Sequence, residues 1–165
     1  DEKYKAQAYI FALGVNDILN MHQEIGSIED VDLKDYKNNK DTFVGDFAVI
    51  VQRYKEISPD AKFFFMTMPK SYADTKEKVK LKKEHRKAIY ELASLFDNCY
   101  VLDLFKKMPK YTKKLCKKYW MNGHLNPMGY VYTANITDKL IEKIIKKNPK
   151  DFYLVGMSDL VKLGF

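Results

Sequence analysis

Two short stretches of the chain contain the side-chain types that hydrolytic enzymes use. In "LGVND", Gly14 allows a sharp turn after an apolar run, and Asn16 follows with an uncharged amide, next to the carboxylate of Asp17. Such an amide suits a developing oxyanion, because it stabilises negative charge without a proton that titrates. Asn-Asp is also common turn chemistry after a strand, so this stretch alone favours a turn over a site.

The second stretch, "MNGHLNPMGY", contains His124, one of three histidines. It precedes Asn126-Pro127, which predicts the start of a helix, because Pro fits the first helical position. A junction between a loop and a helix can present an imidazole as a general base, but a loop histidine can equally bond a backbone carbonyl. The other histidines lack ligand spacing with His124, and no carboxylate lies three or four residues away, so we expect no metal and no cofactor.

Strand and helix patterns alternate along the chain and must position these residues. The predicted order is strand, long loop, helix, strand, helix, strand, loop and helix, which indicates a parallel sheet with helices on its faces. The strands are predicted at 7–13, 61–68 and 99–104, and the helices at 41–57, at about 74–96 and from Asn126 onward.

Three further segments are less regular. Segment 15–40 is polar, and we expect a long functional loop or lid with about one helical turn. A short helix is expected around 111–119, and "FYLVGM" at 152–157 is expected to be another strand or a docking segment. The lysine-rich first half of the 74–96 helix is expected to be exposed, and its second half buried.

The carboxyl ends of the predicted strands form the expected ligand-binding edge, as in other parallel sheets. They are followed by "GVND", "MPKSY" and "DLFKKM". Ser71 is expected to line the cleft there, and Asp103 is either an acid of the site or a structural carboxylate that caps a turn. Trp120 and Met121 precede His124 and are expected either to wall a substrate pocket or to pack under the last helix.

The composition is typical of one globular domain, with 165 residues, 46% hydrophobic and 31% charged. No apolar run approaches the roughly 20 residues of a membrane helix, so we expect no membrane span. The net charge is +7, but the arginines are only Arg53 and Arg86 and the lysines are spread along helices, so we expect no nucleic-acid partner. Two isolated cysteines predict neither a disulfide framework nor a zinc site.

Several blocks together resemble the SGNH/GDSL hydrolase superfamily of serine esterases and lipases. "GVND" at 14–17 matches the family's Gly-x-Asn-Asp block, "MTMP" follows in order, and "HLNPMGY" at 124–130 matches the block of the catalytic histidine. "GSIED", "TFVGDFAVIVQR", "SPDAKFFFMTMP" and "GHLNPMGYVYTA" look like a bacterial subgroup of uncharacterised SGNH-type proteins. The resemblance implies an α/β fold, a flavodoxin-like three-layer α/β/α sandwich with a parallel sheet.

The resemblance also implies that residues 1–165 are one domain, the C-terminal part of an SGNH-type domain from the third conserved block onward. The first strand and the Gly-Asp-Ser block with the nucleophile are then expected upstream, because none of the five serines stands in a strand-to-helix nucleophile setting. This segment alone is expected to be inactive. Without the first strand, "AYIFAL" has an exposed edge, which we expect an N-terminal segment or a second chain to cover.

In such an enzyme His124 would be the general base and Asn16 an oxyanion-hole donor, in the hydrolysis of a small-molecule or carbohydrate ester through an acyl-enzyme. The family's orienting Asp lies three residues before the histidine, where this chain has Met121. A Ser-His dyad, a carbonyl or a surrogate acid such as Asp103 is therefore expected. The substrate-binding residues that the resemblance and the position in the chain imply are Gly14, Asp17, Ser71, Trp120 and Met121.

Two other functions compete with the esterase. The first is a non-catalytic binding module, an SGNH-like scaffold that has lost the chemistry and keeps the cleft. The missing serine and the missing Asp favour it. The second is a basic α/β domain that binds an anionic polymer through its lysines, which a steep salt dependence of binding would reveal.

Overall fold

The computed structural model describes residues 5–109, 111–122 and 124–153. These residues form a three-stranded sheet, three long helices, three short helices and a small hairpin. The strands are β1 (Ala8–Phe11), β2 (Lys62–Met66), β3 (Cys99–Leu102), β4 (Trp120–Met121) and β5 (His124–Leu125). The helices are α1 (Phe43–Ile57), α2 (Lys76–Leu95), α3 (Leu104–Lys107), α4 (Lys113–Tyr119), α5 (Pro127–Lys147) and α6 (Pro149–Phe152).

The sheet has the order β1-β2-β3, and its strands are parallel. β2 is the middle strand, and the phenylalanines at 63–65 are almost fully buried. A strand that is covered on both faces needs apolar side chains on both, which is why "FFFM" at 63–66 is a continuous apolar run. The predicted mixed α/β class and the predicted parallel sheet are confirmed. The flavodoxin-like three-layer sandwich stays a prediction.

One face of the sheet packs against α1 and α2. Phe63 and Phe65 alternate onto this face and join a cluster with Phe47 of α1 and with Ile89 and Leu92 of α2. The ring centroids of Phe47 and Phe65 are 4.9 Å apart. Apolar residues at spacings of three and four place one stripe of each helix toward the sheet, and each fully buried side chain contributes about 1.5–3 kcal/mol.

Within the described residues, α5 and α6 cover only part of the width of the opposite face. Phe64 of β2 and Leu102 of β3 pack with Ile145 of α5 and Phe152 of α6. Ile10 of β1 is in register with Phe64 and so belongs to this face, yet it remains 52% exposed. β1 is thus an edge strand of the described sheet, with an apolar side chain that neither α5 nor α6 buries.

Segment 15–40 contains more regular structure than the single turn that the sequence indicated. A π-helical turn spans Val15–Asn20, and 3-10 turns span Ile28–Asp30 and Tyr36–Asn38. The buried carboxylate of Asp30 accepts hydrogen bonds from Lys40 Nζ at 2.8 Å and from the Thr42 hydroxyl at 3.2 Å. These contacts fix the long segment to the start of α1.

Two C-terminal elements differ from the sequence-based expectation. β4 and β5 form an antiparallel hairpin, and strands of two residues are too short for periodicity to reveal. Phe152 is helical and packs against the sheet. Of the two predictions for this segment, a docking segment fits Phe152 and a strand does not. The part of "FYLVGM" that follows Tyr153 lies outside the described residues.

Asn126 joins α5 to the chain before it, and its removal should weaken the fold. Its Oδ1 accepts from Gly129 N at 2.9 Å, as the N-cap of α5, and its Nδ2 donates to Lys118 O at 2.8 Å. We expect Asn126→Ala to lower the free energy of unfolding by about 1–2 kcal/mol, because an N-cap and a second hydrogen bond are lost. Urea denaturation measures the change.

Two variants make the cap experiment specific. Asn126→Asp keeps the cap and loses the amide donor, so its loss should be smaller than that of Asn126→Ala. Asn135→Ala changes an exposed residue in the middle of α5 and should be neutral or slightly stabilising. Equal stability of Asn126→Ala and Asn135→Ala would contradict the capping role.

Candidate active site

The end of β1 has a backbone conformation that requires glycine. Gly14 is buried with a φ of 111°, and its N–H donates to Asp17 Oδ2 at 3.0 Å. A Cβ at this position would lie 2.7 Å from Nε2 of His85. Both the positive φ and the close ring exclude a larger side chain, so the glycine that the sequence singled out has a physical reason.

Asn16 is exposed in the π-helical turn that follows Gly14. Its Oδ1 accepts a hydrogen bond from Asn20 Nδ2 at 2.9 Å. This bond uses the acceptor of the Asn16 side chain, and in the described part of the chain its Nδ2 donates to no partner. The donor of this exposed amide is therefore available at the carboxyl end of β1, and its oxyanion-hole role stays a prediction.

His85 of α2 is a buried histidine that the sequence analysis did not place near the site. Its Nε2 lies 3.2 Å from the carbonyl oxygen of Leu13, so Nε2 must carry the proton and donate. Its buried Nδ1 has no partner within the described residues. Burial lowers the pKa of His85 from 6.5 to about 4. The burial of His85 has one signal in the sequence, because His85 shares a helical stripe with the apolar residues Ile89 and Leu92.

The burial of His85 predicts an acid-sensitive fold. His85 binds a proton near pH 6.5 in the unfolded chain but only near pH 4 in the folded chain. Its contribution to the stability is therefore fully present above pH 6.5 and is lost as the pH falls toward 4. Between about pH 7 and about pH 4.5 this group should remove about 2–3 kcal/mol from the free energy of unfolding. Urea denaturation at both pH values measures it.

The comparison is made with His85→Gln, which can still donate to the Leu13 carbonyl but does not titrate. Its stability should fall less on acidification than that of the wild type. His22→Asn is the matched control, because His22 is exposed and asparagine tolerates its φ of 57°. An unchanged pH dependence in His85→Gln would rule out His85 as the source.

Asp103 lies at the end of β3 and is the N-cap of α3. Its Oδ1 accepts from Lys106 N at 3.1 Å and from the Thr67 hydroxyl at 3.2 Å. Its Oδ2 accepts from Arg86 Nη2 at 2.7 Å and from the Tyr90 hydroxyl at 3.1 Å. The structural alternative, a carboxylate that caps a turn, is therefore confirmed, while the orienting role for His124 stays a prediction.

The charge of Asp103 is stabilised although the residue is buried. Burial opposes its ionisation, but the hydrogen bonds from Arg86, from the Lys106 N–H and from Tyr90 more than offset this and hold the pKa of the carboxyl below its ordinary value. Arg86 is half-buried and its guanidinium donates through both Nε and Nη2. Asp103 is thus an ionised partner of Arg86 in the folded protein.

Ser71 lies in a turn after β2 that a buried ion pair fixes. The Ser71 N–H donates to Asp74 Oδ2 at 2.6 Å, and Lys82 Nζ contacts both oxygens of Asp74 at 2.8 Å. Lys82 also donates to Pro69 O at 2.9 Å. The expectation that the lysine-rich half of α2 is exposed is therefore wrong at Lys82 and His85, because each finds a polar partner in the sheet-end loops.

One helix contacts the ends of all three parallel strands. On α2, His85 bonds the backbone after β1, Lys82 bonds the turn after β2, and Arg86 bonds the carboxylate after β3. The three segments "GVND", "MPKSY" and "DLFKKM" follow the carboxyl ends of parallel neighbours, as predicted. The edge that the sequence selected is therefore a single surface fixed by α2.

His124 lies in β5, where its Cα is paired with that of Met121 in β4. Directly opposed residues of an antiparallel pair place their side chains on the same side of the ladder, so His124 and Met121 share one side of the hairpin. The imidazole is exposed, and it makes no hydrogen bond to any other described residue. It is accessible to a ligand and is not fixed by a neighbouring carboxylate.

A cavity of about 610 Å³ lies beside this hairpin. It is lined by the turn 71–74 after β2, by lysines of α2 and α4, and by 120–122 of the hairpin. Three predicted substrate-binding residues, Ser71, Trp120 and Met121, thus line one cavity, and His124 adjoins it through its pairing with Met121. Gly14, Asn16 and Asp17 lie at the end of β1 and are not among the lining residues.

Within the described ranges, no group of three or more His, Cys, Asp or Glu side chains is arranged to bind a metal ion. None of the helices in the same ranges combines the length and the apolar character that crossing a membrane requires. Comparison of the chain with protein-family models, with curated proteins and with solved structures finds no match.

Proposed function

We propose that the chain is part of a serine-esterase-type hydrolase of the SGNH kind, which cleaves acyl esters through an acyl-enzyme. The observation that supports this most is the exposed His124, which is paired with Met121, a residue that lines one cavity together with Ser71 and Trp120. A base in this position can take a proton from a nucleophile and return it to a leaving alcohol. The volume of about 610 Å³ is in the range of small-molecule sites.

The proposed reaction has two halves with the same base. A serine Oγ attacks the ester carbonyl carbon while His124 removes the serine proton, and the Asn16 amide donates to the oxyanion of the tetrahedral intermediate. The intermediate collapses and the alcohol leaves with the proton from His124. Water then attacks the acyl-serine and gives a proton to His124, which passes this proton to the departing serine Oγ as the carboxylic acid is released.

The nucleophile is placed on a segment outside these 165 residues that pairs with β1. Two features support this position. β1 is an edge strand of the described sheet, and Ile10 on its uncovered face is 52% exposed. In a flavodoxin-like sheet of order 2-1-3-4-5, the order β1-β2-β3 corresponds to strands 3-4-5, and strand 1 adjoins strand 3. A second chain on the same edge is the alternative partner.

A Ser-His dyad is proposed in place of a triad. Met121 occupies the family's orienting position and cannot accept a hydrogen bond from an imidazole N–H as a carboxylate does. Both oxygens of Asp103 already accept hydrogen bonds. Oδ1 accepts from the Thr67 hydroxyl, and Oδ2 accepts two hydrogen bonds from Arg86. An orienting role for Asp103 therefore requires Arg86 to release it.

The test uses the complete protein that contains this chain. A fluorophosphonate probe should label one serine, which peptide mass spectrometry locates, and 4-nitrophenyl acetate and 4-nitrophenyl butyrate should be hydrolysed. His124→Ala should lose both activities. No labelled serine, together with equal hydrolysis by the wild type and His124→Ala, would overturn the proposed function.

A non-catalytic binding module is the second candidate, and a specific observation favours it. The His124 imidazole has no orienting partner within the described residues, and Arg86 and Tyr90 bind Asp103, the surrogate acid that the sequence suggested. Such a module would keep the cavity and bind ligands without hydrolysis. Ligand binding together with background hydrolysis in the assay above would support it over the esterase.

A further inference from the structure

The side chains that line the cavity beside the hairpin carry a net positive charge. Three of its lining lysines, Lys78, Lys113 and Lys117, are exposed, and none forms an ion pair with any other residue that the structure describes. Among the described residues of the lining, Asp74 contributes the only carboxylate, and Lys82 neutralises it through a pair at 2.8 Å. Three ammonium groups therefore remain to attract an anion into the cavity.

Most of the remaining wall of the cavity is aromatic or apolar, and Ser71 and Asn122 add uncharged polar side chains. It includes Trp120, Met121 and Tyr72, and Tyr72 is 53% exposed. The ring of Trp120 is fixed edge-to-face against Tyr111, with centroids 5.8 Å apart. A fixed aromatic surface beside mobile charges suits a ligand that combines a flat, weakly polar ring face with negative substituents.

We propose that this cavity binds an acidic saccharide, with sugar rings against Trp120 and Tyr72 and carboxylates near the lysines. A neutral acyl chain would gain nothing from three ammonium groups. The lining contains no arginine, which is the side chain best suited to forked recognition of phosphate. The inference rests on the proposed function, because it names the charge and ring character of the substrate of that same site.

Binding can be measured without hydrolysis through the fluorescence of Trp120, which lines the cavity and is the only tryptophan in these 165 residues. Trigalacturonate, its neutral counterpart maltotriose, and inorganic phosphate are titrated into the protein while tryptophan fluorescence is recorded. Trigalacturonate should change the fluorescence with at least about tenfold lower Kd than maltotriose, and added salt should weaken it. The fluorescence change should be absent in Trp120→Phe. Binding to this variant is measured by calorimetry instead.

The variant K113Q/K117Q removes two charges from the cavity and should raise the Kd for trigalacturonate by about tenfold. K143Q/K147Q is the matched control, because it removes two exposed lysines of α5 that do not line the cavity, and its Kd should be nearly unchanged. Thermal unfolding checks that both variants fold.

Several results would overturn the inference. They are equal affinity for maltotriose and trigalacturonate, equal weakening in the two lysine variants, and competition by phosphate at the same concentration as trigalacturonate. Hydrolysis of 4-nitrophenyl esters without saccharide binding contradicts this inference alone. Saccharide binding without any hydrolysis contradicts the proposed function alone.

Discussion

His124→Ala is expected to lower kcat/KM for 4-nitrophenyl acetate by about 10³-fold, the largest effect of any single substitution in this chain. Without the imidazole, the serine must lose its proton to water, and the leaving group must depart without a positioned acid. Initial rates at several substrate concentrations measure the change. A loss in kcat with little change in KM is expected, because His124 acts in the transition state and not in ground-state binding.

The matched control for this experiment is His22→Asn, which removes an exposed histidine at a position of positive φ without touching the cavity. Its rate and its thermal midpoint should equal those of the wild type. His124→Ala should also unfold at the wild-type temperature, since its exposed imidazole makes no hydrogen bond to another described residue. A fall in rate of less than about tenfold would remove His124 from the role of general base.

Gly14→Ala is expected to lower the free energy of unfolding by about 4 kcal/mol, the largest stability effect that we expect. A φ of 111° is unfavourable for any residue with a Cβ, at a cost of about 1–2 kcal/mol. The added Cβ would also lie 2.7 Å from Nε2 and 2.8 Å from Cδ2 of His85, and relief of that overlap costs about 1–3 kcal/mol. Urea denaturation at neutral pH measures the sum.

The two causes can be separated with a double-mutant cycle. His85→Ala removes the ring that the new Cβ meets but leaves the φ of residue 14 unchanged. The double variant should therefore lose about 2 kcal/mol less than the sum of the two single losses. Strict additivity would show that the overlap with His85 contributes nothing and that the backbone conformation alone accounts for the loss.

Local features of the sequence were sufficient to predict the parallel sheet and the start of two helices. The apolar runs end close to the observed strands, and the helix predicted at 41–57 begins in the structure at Phe43, with Thr42 as its N-cap. Asn126 is the N-cap of α5, with Pro127 at the first helical position. Each of these features depends on neighbours within a few residues, which is the range that a sequence pattern covers.

The contacts that give the site its shape depend on residues far apart in the chain. His85 bonds the carbonyl of Leu13, 72 positions away, and Arg86 bonds Asp103, 17 positions away. Neither pairing has a local signature, so the burial of His85 and the partner of Asp103 could not be predicted. The sequence did select Ser71, Trp120 and Met121, but their common cavity depends on how α4 packs beside the turn after β2.

The contacts of α2 with three strand ends fix the number of residues between Lys82 and Arg86. Lys82, His85 and Arg86 must face three different segments at once, and each added residue turns the following part of a helix by about 100°. A single-residue insertion between Lys82 and Arg86 would point Arg86 away from Asp103 while Lys82 kept its partners. Related chains should therefore vary in length in exposed turns such as Tyr36–Asn38, and keep the count of residues across this stretch of α2 unchanged.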